Sequence, residues 1–278
     1  MELKAILNEN KFEFKKKFGQ NFISDFNLLQ AICEDAGLSK QDEVLEIGVG
    51  AGTLTRTIAQ NSKKVVGYEI DQALKPVLAQ SLAGVENATV VFKDFMKEDS
   101  TAINSNFDGK FKVVANLPYY ITSNIIFKLI EKDFNVESLT LMVQKEMAER
   151  LVATAGTKDY GTITAEVDSI GTAKIMRIVD KKMFTPMPNV DSAIVKIDID
   201  HNKFDIKDIK LLQEVIKASF AMRRKTLSNC LKSHFGFGAE QIKNLFSKCN
   251  LSETVRGEAL TTSQFVQLAN CIYYTLKK

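Results

Sequence analysis

The sequence predicts an α/β fold with a mostly parallel sheet, followed by a small all-helical domain. Short apolar runs alternate with segments of helical periodicity as far as residue 153. Each run is continuously apolar, which is typical of strands that helices cover on both faces. Beyond residue 200 the helical periodicity continues without a strand-like run. We therefore expect one domain at 1–200 and a second at 201–278.

The elements of the first domain can be assigned in order from their residues. The apolar runs predict seven strands: DEVLEIG (42–48), KVVGYEI (64–70), ATVVFKD (88–94), KVVANL (112–117), SLTLMVQ (138–144), KIMRIV (174–179) and DSAIVKIDI (191–199). The last two are expected at an antiparallel edge. The helical segments are SDFNLLQAICEDA (24–36), TLTRTIAQ (53–60), DQALKPVLAQSL (71–82), SNIIFKLIEK (123–132) and KEMAERLVA (145–153). Ser24 and Ser123 are the expected N-caps, and Gly37 ends the first segment.

The second domain is predicted from four segments of helical periodicity: IKDIKLLQEVIKASF (206–220), RKTLSNCLKSHF (224–235), AEQIKNLF (239–246) and TSQFVQLANCIYYTL (262–276). The composition of the 278-residue chain is ordinary for a soluble protein, with a net charge of +3. Its four cysteines are widely spaced and its two histidines are isolated, so we expect reduced thiols and no metal site. No apolar run approaches the roughly 20 residues of a membrane span, and we expect a cytoplasmic protein with no membrane partner.

Basic residues are concentrated in KFEFKKKFG (11–19), at Lys181 and Lys182, and in RRK (223–225). A single basic cluster is most often a solvated face. Three separate clusters favour a partner rich in phosphate groups.

Glycine and acidic residues follow three successive predicted strands. EIGVGAG (46–52) forms either a tight turn or a glycine cradle for a ligand, through Gly48, Gly50 and Gly52. Glu69 lies 17 residues after Gly52, and its carboxylate could accept hydrogen bonds from two ribose hydroxyls, with Ile70 beside it. Asp94 suits the amino group of adenine, with Phe95 or Ile70 against the ring. Because no Walker-type lysine follows the glycines, a triphosphate is disfavoured, and NAD or S-adenosylmethionine fits the pattern.

The fourth strand is followed by NLPY (116–119), which resembles the catalytic loop of methyltransferases that modify exocyclic amino groups. The chain as a whole resembles the ribosomal RNA adenine N6,N6-dimethyltransferase family over about three-quarters of its length. The matching segments occur in family order: KFGQNFI (17–23), EIGVGAG (46–52), YEID (68–71), KDF (93–95), NLPYYI (116–121), FTPMPNVDSAIV (184–195) and FAMRRKTLSN (220–229). The resemblance implies a class I, Rossmann-like methyltransferase domain that uses S-adenosylmethionine.

The chemistry of an adenine amino group accounts for the catalytic loop. The N6 lone pair is delocalised into the ring, so N6 is a poor nucleophile. The side-chain carbonyl of Asn116 and the backbone carbonyl of Leu117 can accept both amino protons and aim the lone pair at the donor. Pro118 stiffens the loop. Tyr119 offers a ring on which an extruded base can stack, and the family arrangement implies that Phe184 covers the base's other face.

The resemblance also implies further contacts. Asn21, Ile23 and Asn116 are expected to touch the cofactor, and no metal is expected. The basic candidates for RNA phosphates are Lys15, Lys16, Lys17, Arg223, Arg224 and Lys225. The family pattern is broken at Val49, where proline is usual, at Tyr120, where asparagine is common, and at Ser228, where a basic residue is frequent.

The implied activity is methylation of N6 on two adjacent adenosines near the 3′ end of small-subunit (16S) rRNA. The implied partner is an assembly intermediate of the small ribosomal subunit, bound by a monomer. Two alternatives remain at this stage. One is the sister group that dimethylates an adenine of large-subunit rRNA and confers macrolide resistance. The other is an rRNA-binding assembly factor that retains the fold without catalysis.

Overall fold

All seven predicted strands are present and form one sheet. The structure, a computed structural model, describes residues 3–15, 18–222 and 224–276. Among these residues the strands are β1 (Phe22–Ile23), β2 (Glu43–Ile47), β3 (Lys64–Tyr68), β4 (Ala88–Val91), β5 (Phe111–Asn116), β6 (Val136–Gln144), β7 (Gly171–Val179), β8 (Phe184–Thr185) and β9 (Ser192–Ile199). The order across the large sheet is β4-β3-β2-β5-β6-β9-β7, and β1 and β8 form a separate antiparallel pair.

The strand pairing places four strand ends at one edge of the sheet. β2 runs parallel to β3 and β5, β3 runs parallel to β4, and β5 runs parallel to β6. The segments that follow β2 to β5 therefore emerge side by side, at the edge where open α/β sheets bind ligands. β9 runs antiparallel to β6, as expected for the late strands. The predicted α/β fold class is confirmed.

The described helices are α1 (Leu3–Glu9), α2 (Phe26–Ala36), α3 (Thr53–Asn61), α4 (Lys75–Ser81), α5 (Ser100–Asn104), α6 (Thr122–Leu129), α7 (Lys145–Leu151), α8 (Thr162–Ile170), α9 (Ile209–Ala221), α10 (Leu227–Phe235), α11 (Ala239–Lys248) and α12 (Thr262–Leu276). Every predicted helix is present, but α1, α5 and α8 were not predicted. α2 ends at Gly37, whose φ of 62° is the left-handed conformation expected of a C-terminal glycine. Across the described ranges, no helix is long and apolar enough to cross a membrane.

Two helix starts differ from the prediction. The N-cap of α2 is Asp25 and not Ser24, because the Asp25 carboxylate accepts a hydrogen bond from the Leu28 amide at 2.8 Å. α6 begins at Thr122, so Ser123 lies inside the helix and is not its cap. The Thr122 hydroxyl donates to the Pro118 carbonyl at 3.1 Å. The NLPY loop itself therefore leads into the helix.

The chain separates into two compact units, Met1–Ala148 with Lys174–Ile199, and Glu149–Ala173 with Asp200–Lys278. The expected boundary at residue 200 coincides with one division, but 149–173 was expected in the first domain and belongs to the second unit. The reason is packing. Tyr160 and Ala165 are buried in the helical cluster formed by α9 to α12, and the Tyr160 hydroxyl donates to the Leu260 carbonyl at 2.9 Å.

Candidate functional site

One cavity of the first unit gathers most of the predicted site residues. It lies at the carboxyl edge of the sheet, between the segments that follow β2, β3, β4 and β5. The predicted residues that line it are Asn21, Ile23, Gly48, Gly50, Glu69, Ile70, Asp94, Phe95, Asn116, Leu117, Pro118 and Tyr119. Gly52 and Phe184 are not among the residues that line it.

The glycine turn after β2 is shaped by hydrogen bonds to β3. Gly48 has a φ of 79° and its amide donates to the Tyr68 carbonyl at 2.8 Å. Gly50 has a φ of 57°, and a Cβ there would lie 2.9 Å from the Phe22 ring. A side chain at either position would be strained. The turn therefore exposes backbone to the cavity, as the prediction of a ligand cradle requires.

Val49, which breaks the family pattern, does not loosen this turn. Its side chain is 4% exposed and packs directly over Gly67, the penultimate residue of β3. A Cβ on Gly67 would lie 2.3 Å from Val49 Cγ2. The absence of a side chain at Gly67 therefore makes room for valine in place of the usual proline.

Gly52 has a packing role that differs from its predicted contact with a cofactor. It is the N-cap of α3 with a φ of 82°. A Cβ there would lie 2.7 Å from the Ser81 hydroxyl and 2.9 Å from Leu78 Cδ2, both in α4. The glycine is required because α3 and α4 approach closely at this point, which the spacing of the glycines alone does not reveal.

Glu69 connects the end of β3 to the glycine turn. Its carboxylate is 6% exposed and accepts hydrogen bonds from the Gly50 amide at 2.8 Å and the Asp71 amide at 2.7 Å. Burial raises the pKa of Glu69, although these backbone hydrogen bonds oppose the shift. A carboxylate has about four lone-pair positions, so acceptor capacity remains beyond these backbone bonds. The carboxylate is therefore held in place at the cavity as an acceptor for ribose hydroxyls.

The segment after β4 forms an apolar slot with a carboxylate at its end. Asp94 accepts a hydrogen bond from the Met96 amide at 3.0 Å, which fixes the side chain at the start of a short 3-10 turn. Phe95 is buried, whereas Ile70 is 44% exposed although it is apolar. Lys128 of α6 donates to the Met96 and Glu98 carbonyls and lies over the Phe95 ring. An adenine ring fits between such apolar side chains, with its amino group toward the carboxylate.

The loop after β5 presents two acceptors. The Asn116 Nδ2 donates to the Asn21 carbonyl at 2.9 Å, and the Leu117 amide donates to the Met142 carbonyl at 3.2 Å. Within the described part of the chain, neither Asn116 Oδ1 nor the Leu117 carbonyl accepts a hydrogen bond. The two oxygens assigned to the amino protons are thus available.

Tyr119 is held by a residue to which the sequence assigned no role. Its hydroxyl lies 2.7 Å from the hydroxyl of Ser192, which is fully buried at the start of β9. Burial also raises the pKa of Tyr119. The bond fixes the ring on which the target base is expected to stack. Ser192 belongs to the FTPMPNVDSAIV segment, so the resemblance marked the position without indicating its contact.

Phe184 is placed differently from the prediction. Its ring is 3% exposed and packs in a core cluster with Ile23, Met142 and Ile194. The cause is the pairing of β8 with β1, which sets Phe184 opposite Ile23. In this arrangement Phe184 supports the wall behind the cavity, and its contact with the second face of a base stays a prediction.

Lys15 also has an unexpected partner. Its ammonium group forms an ion pair with Asp71 at 2.7 Å, and that carboxylate is only 3% exposed. A buried carboxylate is stabilised by such a cation, which explains why the lysine turns toward the protein. The predicted contacts Lys16 and Lys17 lie outside the described residues.

The basic candidates of the second unit lie after α9. Arg224 lines a cleft together with Lys158, Arg256 and Glu258. Lys225 is exposed, and its amide donates to the Met222 carbonyl at 2.9 Å. Arg223 lies outside the described residues. The cleft shows that basic groups from separate parts of this unit gather around Arg224, which sequence spacing did not indicate.

Several other cavity residues were missed at the level of sequence. Gln20, Glu46 and Tyr120 line the cavity without a predicted role. Glu46 is 1% exposed, and burial raises its pKa to about 8, with the charge of Glu69 acting in the same direction. Tyr120 is 63% exposed at the cavity. Glu46 belongs to the EIGVGAG segment, but the sequence of this segment does not indicate that the Glu46 carboxylate is buried.

The donor set fits a methyl donor that carries a nucleoside. Gly48 and Gly50 leave backbone accessible where a Cβ would be strained, Glu69 keeps acceptor capacity, and Asp94 follows an apolar slot. Among the described residues, His, Cys, Asp and Glu side chains form no group of three that would hold a metal ion. The residues therefore fit S-adenosylmethionine, through polar groups at the ribose and adenine ends.

Comparisons with known proteins agree with this chemistry. The family model for ribosomal RNA adenine dimethylase matches residues 11–273. The chain is 41% identical to ribosomal RNA small subunit methyltransferase A of Clostridium botulinum over 98% of this chain and 99% of that protein. It is 43% identical to the Streptococcus gordonii protein of the same name, over 97% and 95% of the two chains.

Solved structures show the same relationship. A dimethyladenosine transferase from Plasmodium falciparum matches with a TM-score of 0.72 and 26% identity, over 89% of this chain and 95% of that one. The 23S rRNA methyltransferase ErmE matches with a TM-score of 0.68 and 25% identity, over 91% of this chain and 100% of that one. The resemblance predicted from the motifs is confirmed, as is the assignment to the enzymes that methylate adenine in rRNA. This chain belongs to the ribosomal RNA adenine dimethylase family.

Proposed function

We propose that this chain transfers methyl groups from S-adenosylmethionine to N6 of two adjacent adenosines near the 3′ end of small-subunit rRNA, forming N6,N6-dimethyladenosines. One observation carries the proposal. The Asn116 side-chain oxygen and the Leu117 carbonyl stand unengaged at the wall of a cavity that also holds Glu69 and Asp94. Near-full-length relatives named for the small subunit support the choice of RNA.

The proposed mechanism depends on orientation. Bound S-adenosylmethionine supplies a methyl group on a positively charged sulfur, which is already activated for transfer. Asn116 Oδ1 and the Leu117 carbonyl accept from the target amine, which draws its nitrogen toward tetrahedral geometry and directs its lone pair. Tyr119, tethered to Ser192, stacks on the extruded base. No side chain is assigned as a general base, and the proton leaves the alkylated amine to solvent.

RNA binding is assigned to the second unit and to the basic segment near the N-terminus. Arg224 and Lys225, with Arg223, Lys16 and Lys17, are proposed to contact phosphates and to set the register of the RNA without reading its sequence. The cleft that Arg224 shares with Lys158 and Arg256 supports this assignment. The proposed partner is an assembly intermediate of the small subunit, bound by a monomer in the cytoplasm.

A second candidate substrate is adenine in large-subunit rRNA, which the structural match to the 23S rRNA methyltransferase ErmE favours. Tritiated S-adenosylmethionine tests both candidates. The enzyme is incubated with small subunits, large subunits and naked rRNA, all prepared without the modification. We expect label in small-subunit rRNA within the small subunits. Label confined to large subunits would overturn the substrate assignment, and no label in any sample would favour a binding factor without catalysis.

A further inference from the structure

The segment before β1 contacts both the cofactor end and the catalytic end of the cavity. Together with β1 it forms what we call the strap, whose described residues are 10–15 and 18–23. Phe18, Gly19, Gln20 and Asn21 of the strap line the same cavity as Asn116. The strap is tied to α3 by the Thr53 hydroxyl, which donates to the Ile23 carbonyl at 2.7 Å. Its position therefore affects both ligands of the proposed reaction.

The strap is anchored to one buried carboxylate, that of Asp71. Oδ1 of Asp71 accepts from the Lys15 ammonium at 2.7 Å and from the Ala73 amide at 3.1 Å. Oδ2 accepts from the Gln20 side chain at 2.9 Å. Burial acts to raise the pKa of Asp71, but these hydrogen bonds outweigh it and lower the pKa below its ordinary value. Asp71 is therefore held as a carboxylate under the strap.

Gln20 has a single compatible orientation. Its Nε2 donates to Asp71, and its Oε1 accepts from the Lys15 amide at 2.8 Å. A reversed amide would point its oxygen at the carboxylate and its NH2 group at an N–H donor. The side chain therefore joins the strap backbone to Asp71 with one defined geometry.

The next strap residue orients the catalytic amide. The Asn21 carbonyl accepts from Asn116 Nδ2 at 2.9 Å. A carbonyl oxygen can only accept, so the NH2 group of Asn116 must face the strap and its Oδ1 must face away. An asparagine with the opposite orientation would present donors to the target amine, which is itself a donor.

We propose that Asp71 and Gln20 are positioning residues for methyl transfer: they fix the strap so that the Asn21 carbonyl holds Asn116 with Oδ1 toward the target amine. The proposal rests on the proposed function. It assigns a role to two residues that do not contact the reacting atoms. A strap that served only to enclose the cofactor would affect cofactor affinity and leave the rate at saturation unchanged.

An exchange of the two functional groups tests the proposal. Asp71→Asn sets the new NH2 group against the Gln20 NH2 group, and Gln20→Glu sets two carboxylates about 3 Å apart. The double variant Asp71→Asn with Gln20→Glu restores one donor facing one acceptor and conserves the net charge. Asp108→Asn is the matched control. It removes an ion pair of 2.9 Å with Lys63, which directly precedes β3 and so lies at the other end of that strand from the site.

Initial rates are measured with saturating S-adenosylmethionine and RNA, and cofactor affinity is measured by calorimetry. We expect each single variant to lower kcat by about 10-fold to 100-fold, as misplaced catalytic groups do. The exchanged pair should recover kcat to within about 3-fold of the parent, and Asp108→Asn should match the parent. An exchanged pair no faster than the slower single variant, or single variants that change only cofactor affinity, would overturn the proposal. Activity of the parent in the same assay tests the proposed function separately.

Discussion

Glu166 is a buried acid whose removal is expected to stabilise the protein at high pH. It lies in α8 with 2% of its surface exposed, and its Oε1 has no hydrogen-bond partner among the residues that the structure describes. Burial raises its pKa from 4.5 to about 7, although the charge of Lys217 opposes the shift. Below pH 4.5 the group is protonated whether the chain is folded or unfolded. Above pH 7 it is ionised in both, and the folded protein bears the full cost of a buried charge.

The direction in which stability changes with pH follows from proton binding. Because the pKa of this acid is raised by folding, the folded state binds more protons between pH 4.5 and 7, and stability falls as pH rises through that window. A difference of about 2.5 pKa units corresponds to roughly 3 kcal/mol. Glu166→Gln keeps the shape and removes the charge. We therefore expect the free energy of unfolding to rise by about 3 kcal/mol at pH 8 and by less than about 1 kcal/mol at pH 5.

Urea unfolding followed by far-ultraviolet circular dichroism, at several pH values from 5 to 8, measures this difference. Comparing the variant with its parent at each pH cancels the titration of every other group. Glu253→Gln is the control, since Glu253 is an exposed glutamate of the same unit. A stability difference that does not change with pH would refute the reasoning. So would a variant that is less stable than the parent at pH 8.

Three further predictions concern the site and the RNA contacts. Gly52→Ala forces a side chain into a left-handed position and against Ser81, so it should lower the free energy of unfolding by about 2–4 kcal/mol. Calorimetry on the folded fraction should show a cofactor affinity within about 2-fold of the parent, and a large loss of affinity would indicate that Gly52 contacts the cofactor. Tyr119→Phe removes the bond to Ser192 and should lower kcat about 10-fold with cofactor affinity unchanged; an unaltered kcat would contradict the tether. Arg224→Ala should weaken RNA binding and reduce the salt slope of the binding constant by about 1; an unchanged slope in filter-binding titrations would exclude a phosphate contact.

The sequence predicted the row of strand ends well because that prediction depended on few assumptions. Continuous apolar runs separated by helical segments imply parallel strands, and parallel strands end at the same edge. Glu69, Asp94 and Asn116 could therefore be placed together before any distance was known. The positions most accurately predicted are those that follow directly from strand direction.

The sequence did not predict the contacts that depend on segments distant in the chain. Gly52 is set by α4, Phe184 by the pairing of β8 with β1, and Lys15 by the buried carboxylate of Asp71. Nothing in the local pattern around these residues identifies such partners. The anchoring of Tyr119 by Ser192 is of the same kind, since 73 positions separate the two hydroxyls.

The helical unit shows a further limit. Its four C-terminal helices were predicted from periodicity, but α8 was not. Residues 149–173, which were expected in the first domain from their position in the chain, group with the second unit. The sequence of a short amphipathic segment indicates that its apolar face is buried, but it does not indicate which element covers that face. Here Tyr160 and Ala165 pack with helices that begin more than 40 residues later.

Mapping the methylated nucleotides is the most direct test of the central claim. Small subunits that lack the modification are incubated with the enzyme and S-adenosylmethionine, and nuclease digests of their rRNA are analysed by mass spectrometry. We predict N6,N6-dimethyladenosine at two adjacent positions near the 3′ end. We also predict none with Asn116→Ala, although that variant should still bind the subunits. Methylation elsewhere, or parental turnover by Asn116→Ala, would contradict the account.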